Sequence, residues 1–117
     1  MTIKQERGLM GERLAQKFVE EMGFQVLHTN WRHKHLEVDI IAGRAECLHI
    51  IEVKTQLGST AGYPEENVDR KKLMNLIRAA ERYLSADRRW KRMQIDVLAI
   101  TLHDDEAEYF YIEDVYL

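Results

Sequence analysis

The sequence is poor in the residues that cross-link or interrupt a chain: its 117 residues include one cysteine, one proline and six glycines. The lone Cys47 excludes an internal disulfide, and nothing near it has the spacing of a zinc site. Because Cys47 lies in an apolar run, we expect it to be a small core residue. No apolar run approaches the length of a membrane span.

The composition is that of a folded domain, with 45% hydrophobic and 32% charged residues. A chain of this length builds one hydrophobic core, so we expect a single domain over residues 1–117. Residues 1–8 are polar and lack the apolar segment of a signal peptide. We therefore expect a cytoplasmic protein without a membrane partner.

The net charge of −3 argues against strong non-specific binding to nucleic acid, which needs an excess of positive charge. The charges are unevenly distributed, however, because many acids lie near the C-terminus and the basic residues cluster elsewhere. A surface divided in this way can still bind phosphate on one side. The candidate nucleic-acid contacts are Arg32, Lys34, Lys72, Arg88, Arg89 and Arg92.

Hydrophobic periodicity predicts two helices and five strands. The helices are expected over residues 8–22 and 68–85, and Gly23 has the position of a helix-ending glycine. Strands are expected over residues 24–32, 36–42, 47–55, 93–101 and 108–115, with a loop over 56–66. The second and third strands form a hairpin, and a helix crosses from the third strand to the fourth. This order, α-β-β-β-α-β-β, predicts an α/β fold with a mixed five-stranded sheet flanked by helices.

Charged residues interrupt two of the apolar strands. Glu37 and Asp39 lie in one strand, and Glu52 and Lys54 lie in the next. Because side chains alternate across a strand, Glu37, Asp39 and Ile41 are expected on one face, as are Glu52 and Lys54. If the two faces coincide in the hairpin, Asp39, Glu52 and Lys54 come together.

Two adjacent carboxylates repel each other unless a proton or a cation lies between them. Mg²⁺ or Mn²⁺ is the usual cation for oxygen ligands, and it would leave room for water and phosphate oxygens. A neighbouring lysine could position the water or stabilise negative charge. The set therefore suits phosphodiester hydrolysis. The alternative is a group of salt bridges on a solvated face, which sequence periodicity does not exclude.

Beyond this pattern, the chain from about residue 8 to residue 111 resembles the YraN-like family of small bacterial proteins, which is placed in the PD-(D/E)xK nuclease superfamily. That family is similar to the archaeal Holliday-junction resolvases. The matching residues, in order, are Gly11-Glu12, Ala15, Asn30-Trp31-Arg32, Glu37-Val38-Asp39-Ile40-Ile41, Glu52-Val53-Lys54-Thr55, Asn67-Val68-Asp69, Lys72, Ala80, Tyr83-Leu84 and Asp96-Val97. The resemblance implies a restriction-endonuclease-like core.

The resemblance also implies roles for individual residues. Asp39 and Glu52 would be metal ligands, together with the backbone carbonyl of Val53, and Lys54 would be the catalytic lysine. Glu12 would be the helical carboxylate directed toward this site. Its alternative is an ordinary exposed acid of a first helical turn.

Two further positions bear on the expected site. Glu37 would support it or pair with a basic neighbour. Gln56 stands where the family commonly has arginine, which removes a positive charge near the expected phosphate path. Leu36 stands in place of the family's glycine, at the entry to the hairpin.

The implied activity is divalent-metal-dependent cleavage of DNA, with branched or otherwise structured DNA as the expected substrate and Mg²⁺ or Mn²⁺ as cofactor. Related resolvases act as dimers, so the resemblance is compatible with a homodimer. The alternative is a non-catalytic module that keeps the fold and binds nucleic acid or protein. The net acidic charge and Gln56 favour this second interpretation.

Overall fold

The computed structural model describes residues 1–58 and 69–115, and their central feature is a mixed five-stranded sheet with a helix on each face. This confirms the α/β class and the predicted order of elements. The elements are α1 (Ile3–Glu21), β1 (Gln25–His33), β2 (Leu36–Arg44), β3 (Cys47–Leu57), α2 (Arg70–Ala86), β4 (Arg92–Leu102) and β5 (Ala107–Ile112).

The five strands lie side by side in sequence order. Every neighbouring pair is antiparallel except β3 and β4, which are parallel and joined through α2. The predicted hairpin and the predicted crossover are thus both confirmed. Ala45 and Glu46 connect β2 to β3 with φ of 51° and 64°, the left-handed backbone that a two-residue hairpin turn requires.

The core has two layers, one on each face of the sheet. The layer beneath α2 joins its Leu73, Leu76, Ala79 and Ala80 to Leu36, Val38, Ile41, Leu48, Ile50, Ile95 and Val97. The layer beneath α1 joins its Ala15 and Val19 to Phe24, Ile40, Ala42, Ile51, Leu98 and Ile100. Strands β2, β3 and β4 therefore bury side chains on both faces, as their nearly continuous apolar runs predict.

Helix α1 begins five residues before the predicted start. Thr2 caps the helix, because its side chain accepts from Gln5 N at 3.1 Å while Gln5 Oε1 accepts from Thr2 N at 2.9 Å. The first two turns are almost entirely exposed and show no apolar stripe. The Thr2–Gln5 capping box, however, is a sequence pattern typical of a helix start. The predicted end is confirmed, since Gly23 follows the helix with φ of 92°.

Gly11 brings α1 close to β3. It is buried, and a Cβ at this position would collide with the Thr55 side chain. Because Gly11 precedes Glu12, this close approach places the Glu12 backbone beside the C-terminal half of β3.

The remaining boundaries differ modestly from the predictions. Strand β3 continues to Leu57, so it includes Gln56 and Leu57 of the predicted loop. Gly58 follows the strand as a turn, and the rest of the predicted loop, residues 59–66, lies outside the described residues. So does the predicted start of α2 at residue 68; Asp69 caps this helix by accepting from Lys72 N at 2.8 Å. Neither helix is long and apolar enough to cross a membrane over the ranges described.

Candidate metal centre at the β2–β3 fork

Strands β2 and β3 separate at the two acidic positions. Their pairing runs from Arg44 and Cys47 to Ile40 and Ile51, so Asp39 and Glu52 are the next residues on the two strands. Beyond this point β2 continues beside β1, whereas β3 continues beside β4. We call Asp39, Glu52 and Val53 the β2–β3 fork.

The Asp39 carboxylate occupies the opening between the strands. Its Oδ2 accepts a hydrogen bond from the backbone N of Val53 at 2.7 Å. In a strand the N–H and C=O of one residue face the same neighbouring strand, so the Val53 carbonyl is also directed toward the fork. The Asp39 carboxylate and the Val53 carbonyl thereby face one opening, with the Glu52 carboxylate close enough to affect the Asp39 pKa. These are the groups that the family resemblance implies as ligands.

The electrostatics of the fork favour an added positive charge. Burial raises the pKa of Asp39, and the neighbouring Glu52 carboxylate raises it further, while the Val53 N–H opposes this effect. The resulting pKa is about 7. An aspartate in this state retains its proton well above its ordinary range, because burial and the second acid both disfavour its charged form. A cation that replaced the proton would relieve the same repulsion.

Glu52 is held on the α2 side of the fork by two lysines. Only 4% of Glu52 is exposed, and its Oε2 lies 3.5 Å from Lys54 Nζ and 3.3 Å from Lys72 Nζ. Lys72 comes from the first turn of α2. Tertiary packing therefore brings a second positive charge to Glu52, which the sequence pattern of β2 and β3 does not indicate. The predicted proximity of Glu52 and Lys54 is confirmed.

One expectation about strand β2 is wrong: Glu37, Asp39 and Ile41 do not share one face. Val38 and Ile41 both pack beneath α2, whereas Ile40 packs beneath α1. The alternation is therefore shifted by one residue between Val38 and Ile40, which moves every later side chain to the other face. The shift coincides with Asn30 of β1, which lies opposite Asp39 and has a left-handed φ of 51°.

Glu12, Glu37 and Gln56 occupy different surroundings. Glu12 is exposed on α1 and lines a cavity of about 130 Å³ together with Asp39 and Val53, so it lies near the fork. Glu37 is exposed and pairs with Arg32 at 3.2 Å. The side chain of Gln56 donates to Thr101 Oγ1 at 3.2 Å.

The other candidate nucleic-acid contacts are spread over two ends of the sheet. Lys34 is exposed in the β1–β2 turn, at the end where the fork opens. Arg92 lies at the opposite end, beside Cys47, about 17 Å along β3 from Glu52. Arg89 there pairs with Asp87 at 2.7 Å, and Arg88 is exposed. The structure thus gathers Lys72 at the fork and leaves Arg88, Arg89 and Arg92 away from it.

Sequence reasoning missed a second buried acid. Asp96 of β4 is fully buried, and its Oδ2 lies 2.7 Å from Nδ1 of His49 on β3. The sequence signal was an acid inside an apolar run, as at Asp39, but the pairing depends on the parallel β3–β4 register. Arg13 and Asn30, which line the cavity beside Asp39, were also given no role.

The donor set limits what could bind at the fork. Within residues 1–58 and 69–115, no three histidine, cysteine, aspartate or glutamate side chains are grouped to hold a metal. A cation at the fork would therefore have two carboxylates, the Val53 carbonyl and solvent as ligands. Mg²⁺ in proteins commonly takes one or two carboxylates and completes its shell with water and phosphate oxygens, so these residues fit it.

The structure defines the class of the protein, and comparison with known proteins defines its family. Over residues 1–58 and 69–115, the fold is that of an α/β protein with a mixed five-stranded sheet, two helices and an acidic fork. The model of the uncharacterised protein family UPF0102 matches residues 11–100, and the chain belongs to this family.

Curated relatives support the assignment. A UPF0102 protein of Bacteroides thetaiotaomicron is 40% identical over 97 residues, which cover 83% of this chain and 75% of the relative. One from Chlorobium phaeobacteroides is 41% identical over 103 residues, covering 87% and 82%. One from Rhodococcus opacus is 33% identical over 111 residues, covering 93% and 94%.

Proposed function

We propose that the protein is a divalent-metal-dependent nuclease that hydrolyses phosphodiester bonds of DNA, with the β2–β3 fork as its metal site. The sheet and helices would then be a restriction-endonuclease-like core of the PD-(D/E)xK type. The observation that carries the proposal is the convergence of Asp39 and Glu52, with burial and mutual repulsion raising the pKa of Asp39 to about 7. Such perturbed acids concentrate at functional sites.

Mg²⁺ or Mn²⁺ is the cation that this donor set favours. The fork offers oxygen ligands and no cysteine or histidine, which matches hard divalent cations better than zinc or copper. The Asp39 and Glu52 carboxylates and the Val53 carbonyl would hold the ion. When bound, a divalent cation lowers the pKa of a coordinated water and offsets charge that develops on the phosphate.

The remaining groups would position the substrate and the water. Lys54 Nζ, 3.5 Å from Glu52 Oε2, keeps a positive charge at the fork, where it would stabilise negative charge on a phosphate oxygen. Glu12 lines the cavity next to Asp39 and Val53, where its carboxylate can accept a hydrogen bond from water and orient it. Glu37, paired with Arg32, would have no direct part in the reaction.

The direct test is cleavage of labelled junction, flap and single-stranded DNA by the pure protein in Mn²⁺ or Mg²⁺. The proposal expects cleavage that chelation abolishes and that Asp39→Ala, Glu52→Gln and Lys54→Ala each reduce strongly. Cleavage that Asp39→Ala and Lys54→Ala leave unchanged would come from a contaminant and would defeat the proposal.

A non-catalytic binding module is the second candidate. One observation favours it: Lys54 and Lys72 already neutralise Glu52 within the chain, so the fork approaches charge balance without a metal. This function predicts DNA or protein binding that survives Asp39→Ala, chelation and Lys54→Ala. Metal-dependent binding lost in Asp39→Ala would exclude it.

A homodimer on branched DNA extends the first proposal. A two-fold junction offers two equivalent phosphodiester bonds, and two copies of one site would match that symmetry. Analytical ultracentrifugation with and without junction DNA measures this directly. A monomer on the junction at all concentrations would exclude the dimer and leave the metal site untouched.

A further inference from the structure

The fork opens into a cavity on the α1 side, and part of its wall has no role in the proposed metal site. The cavity has a volume of about 130 Å³, several times the volume of one water molecule. Glu12, Asp39 and Val53 form one part of its wall. The other part consists of Arg13, Gln16, Thr29, Asn30 and Ile40.

Arg13 supplies positive charge at the cavity. It follows Glu12 on α1, and Gln16 lies one turn further along the same helix face. Over residues 1–58 and 69–115, Arg13 takes part in no ion pair, unlike Arg32, which is held by Glu37. A planar guanidinium presents paired N–H groups that match two oxygens of one phosphate.

Asn30 also lies at this cavity, and its backbone conformation is unusual for a strand. It lies in the interior of β1 between two paired positions, Thr29 with Ile40 and Trp31 with Val38, yet its φ is 51°. A non-glycine residue held in the left-handed region within a strand is uncommon and occurs preferentially at functional sites. Here the distortion lies opposite Asp39, and the residue lines the cavity.

We propose that this cavity is a phosphate-binding subsite, in which the Arg13 guanidinium and the Asn30 side-chain amide donate to non-bridging oxygens of a nucleic-acid phosphodiester. The inference rests on the proposed function, because it says where the nucleic-acid strand would lie relative to the β2–β3 fork. Asn30 has a second, positioning role, since its left-handed backbone accompanies the shift in β2 that places Asp39 at the opening.

The subsite accounts for phosphate binding by a chain of net charge −3. Lys54 and Lys72 offset the Glu52 carboxylate, and Arg13 adds a third cation beside Glu12 and Asp39 in the cavity wall. The acids of the fork are thereby offset locally, so a phosphate can bind there without the distant Arg88, Arg89 and Arg92.

The test measures DNA binding separately from cleavage. Fluorescence anisotropy of a labelled oligonucleotide in Ca²⁺, over a range of salt concentrations, gives Kd and its salt dependence. Arg13→Gln is expected to raise Kd about tenfold and to reduce the slope of log K against log salt by roughly 0.7 to 0.9, the value for one phosphate contact. Arg13→Lys should keep the slope and recover part of the affinity.

Lys4→Gln is the matched control. It removes one positive charge from the same helix, but it lies nine residues earlier, about half a turn round from Arg13. It should leave Kd and the slope close to those of the wild type. An equal loss in both variants would show a general charge effect and overturn the subsite.

Two substitutions at Asn30 separate its backbone role from its side-chain role. Asn30→Gly keeps access to positive φ but removes the amide, so it should raise Kd several-fold with little change in Tm. Asn30→Ala should raise Kd similarly and also lower Tm, because alanine disfavours φ near 51°. Wild-type Kd in Asn30→Gly would eliminate the amide contact.

The outcomes distinguish this inference from the nuclease proposal. Cleavage by the wild type, combined with a Kd that Arg13→Gln does not change, overturns the subsite and leaves the nuclease standing. Binding that depends on Arg13, without cleavage in Mn²⁺, supports the subsite and counts against the nuclease. Absence of DNA binding by the wild type overturns the subsite.

Discussion

Asp96 and Asp39 are both acids inside apolar strands of one sheet, yet their surroundings are opposite. Asp96 is fully buried. Burial alone would raise its pKa, but hydrogen bonds outweigh that effect and the pKa is lowered. The donors are the His49 ring, the Tyr111 hydroxyl, Gln94 Nε2 at 2.9 Å and Asp114 N at 2.9 Å. The protein itself therefore satisfies this carboxylate.

Among residues 1–58 and 69–115, Asp39 has one such donor, the Val53 N–H, and a second carboxylate beside it. Its pKa is raised to about 7, and a cavity lies next to it. The difference is instructive, because burial of an acid does not by itself identify a functional site. A buried acid whose hydrogen-bond donors are all protein groups links neighbouring strands and has a structural role. A half-buried acid such as Asp39, which faces another acid and an opening, is available to a ligand.

The largest expected difference between the two acids is in activity. Asp39→Asn should reduce Mn²⁺-dependent cleavage about 10³-fold, the scale for loss of a group that stabilises transition-state charge. Asp96→Asn should leave the cleavage rate within a few-fold at a temperature where it remains folded. Circular dichroism checks that both variants are folded. Equal losses of cleavage rate in the two variants would contradict the distinction between the two acids.

The next effect is on stability, and here we expect the larger loss in the Asp96 variant. Asp96→Asn should lower the free energy of unfolding by about 3 kcal/mol, because it removes the charge that its buried donors face. Tyr111→Phe should cost less, about 1 kcal/mol for one hydrogen bond. Urea unfolding at pH 8 measures both values. A fully stable Asp96→Asn would mean that the hydrogen-bonded cluster contributes little to the fold.

Asp39→Asn should instead stabilise the protein at pH 8, by about 2 kcal/mol. The Asp39 pKa is raised in the folded state, so its destabilising effect is absent below the unfolded pKa, develops as pH rises from about 4 to 7 and is complete above that. Asparagine removes this effect and can still accept from Val53 N. Unfolding of both proteins from pH 4 to 8 should show a difference that grows with pH, and a constant difference would contradict it.

The smallest difference between the two acids is in stabilisation by metal. At free Mn²⁺ tenfold above Kd, the wild type should gain about 1.4 kcal/mol in free energy of unfolding. Asp39→Asn should gain almost nothing, whereas Tyr111→Phe should gain as much as the wild type. Differential scanning calorimetry with and without Mn²⁺ measures this. An equal gain in Asp39→Asn would place the ion elsewhere.

Much of the fold could be predicted from the sequence, because local patterns carry it. Apolar runs located all five strands, and the turn before Cys47 identified the β2–β3 hairpin. The start of α1 was missed because its first turns are exposed and have no apolar stripe. The Thr2–Gln5 capping box was the only local sign of that start.

The sequence predicted which residues form the candidate site better than it predicted how they are arranged. Alternation along β3 correctly put Glu52 and Lys54 on one face. It failed in β2, because the one-residue shift at Asp39 accompanies a left-handed Asn30 on another strand, which a period of two cannot reveal. The Lys72–Glu52 and His49–Asp96 pairs depend on long-range packing, so sequence spacing could not give either.

The most direct measurement is an anomalous-diffraction map from crystals of the protein grown with Mn²⁺. We expect one peak, bonded to an oxygen of Asp39 and an oxygen of Glu52, with the Val53 carbonyl as a third protein ligand. A map without a peak there, at a Mn²⁺ concentration that supports cleavage, would contradict the shared cation at the fork.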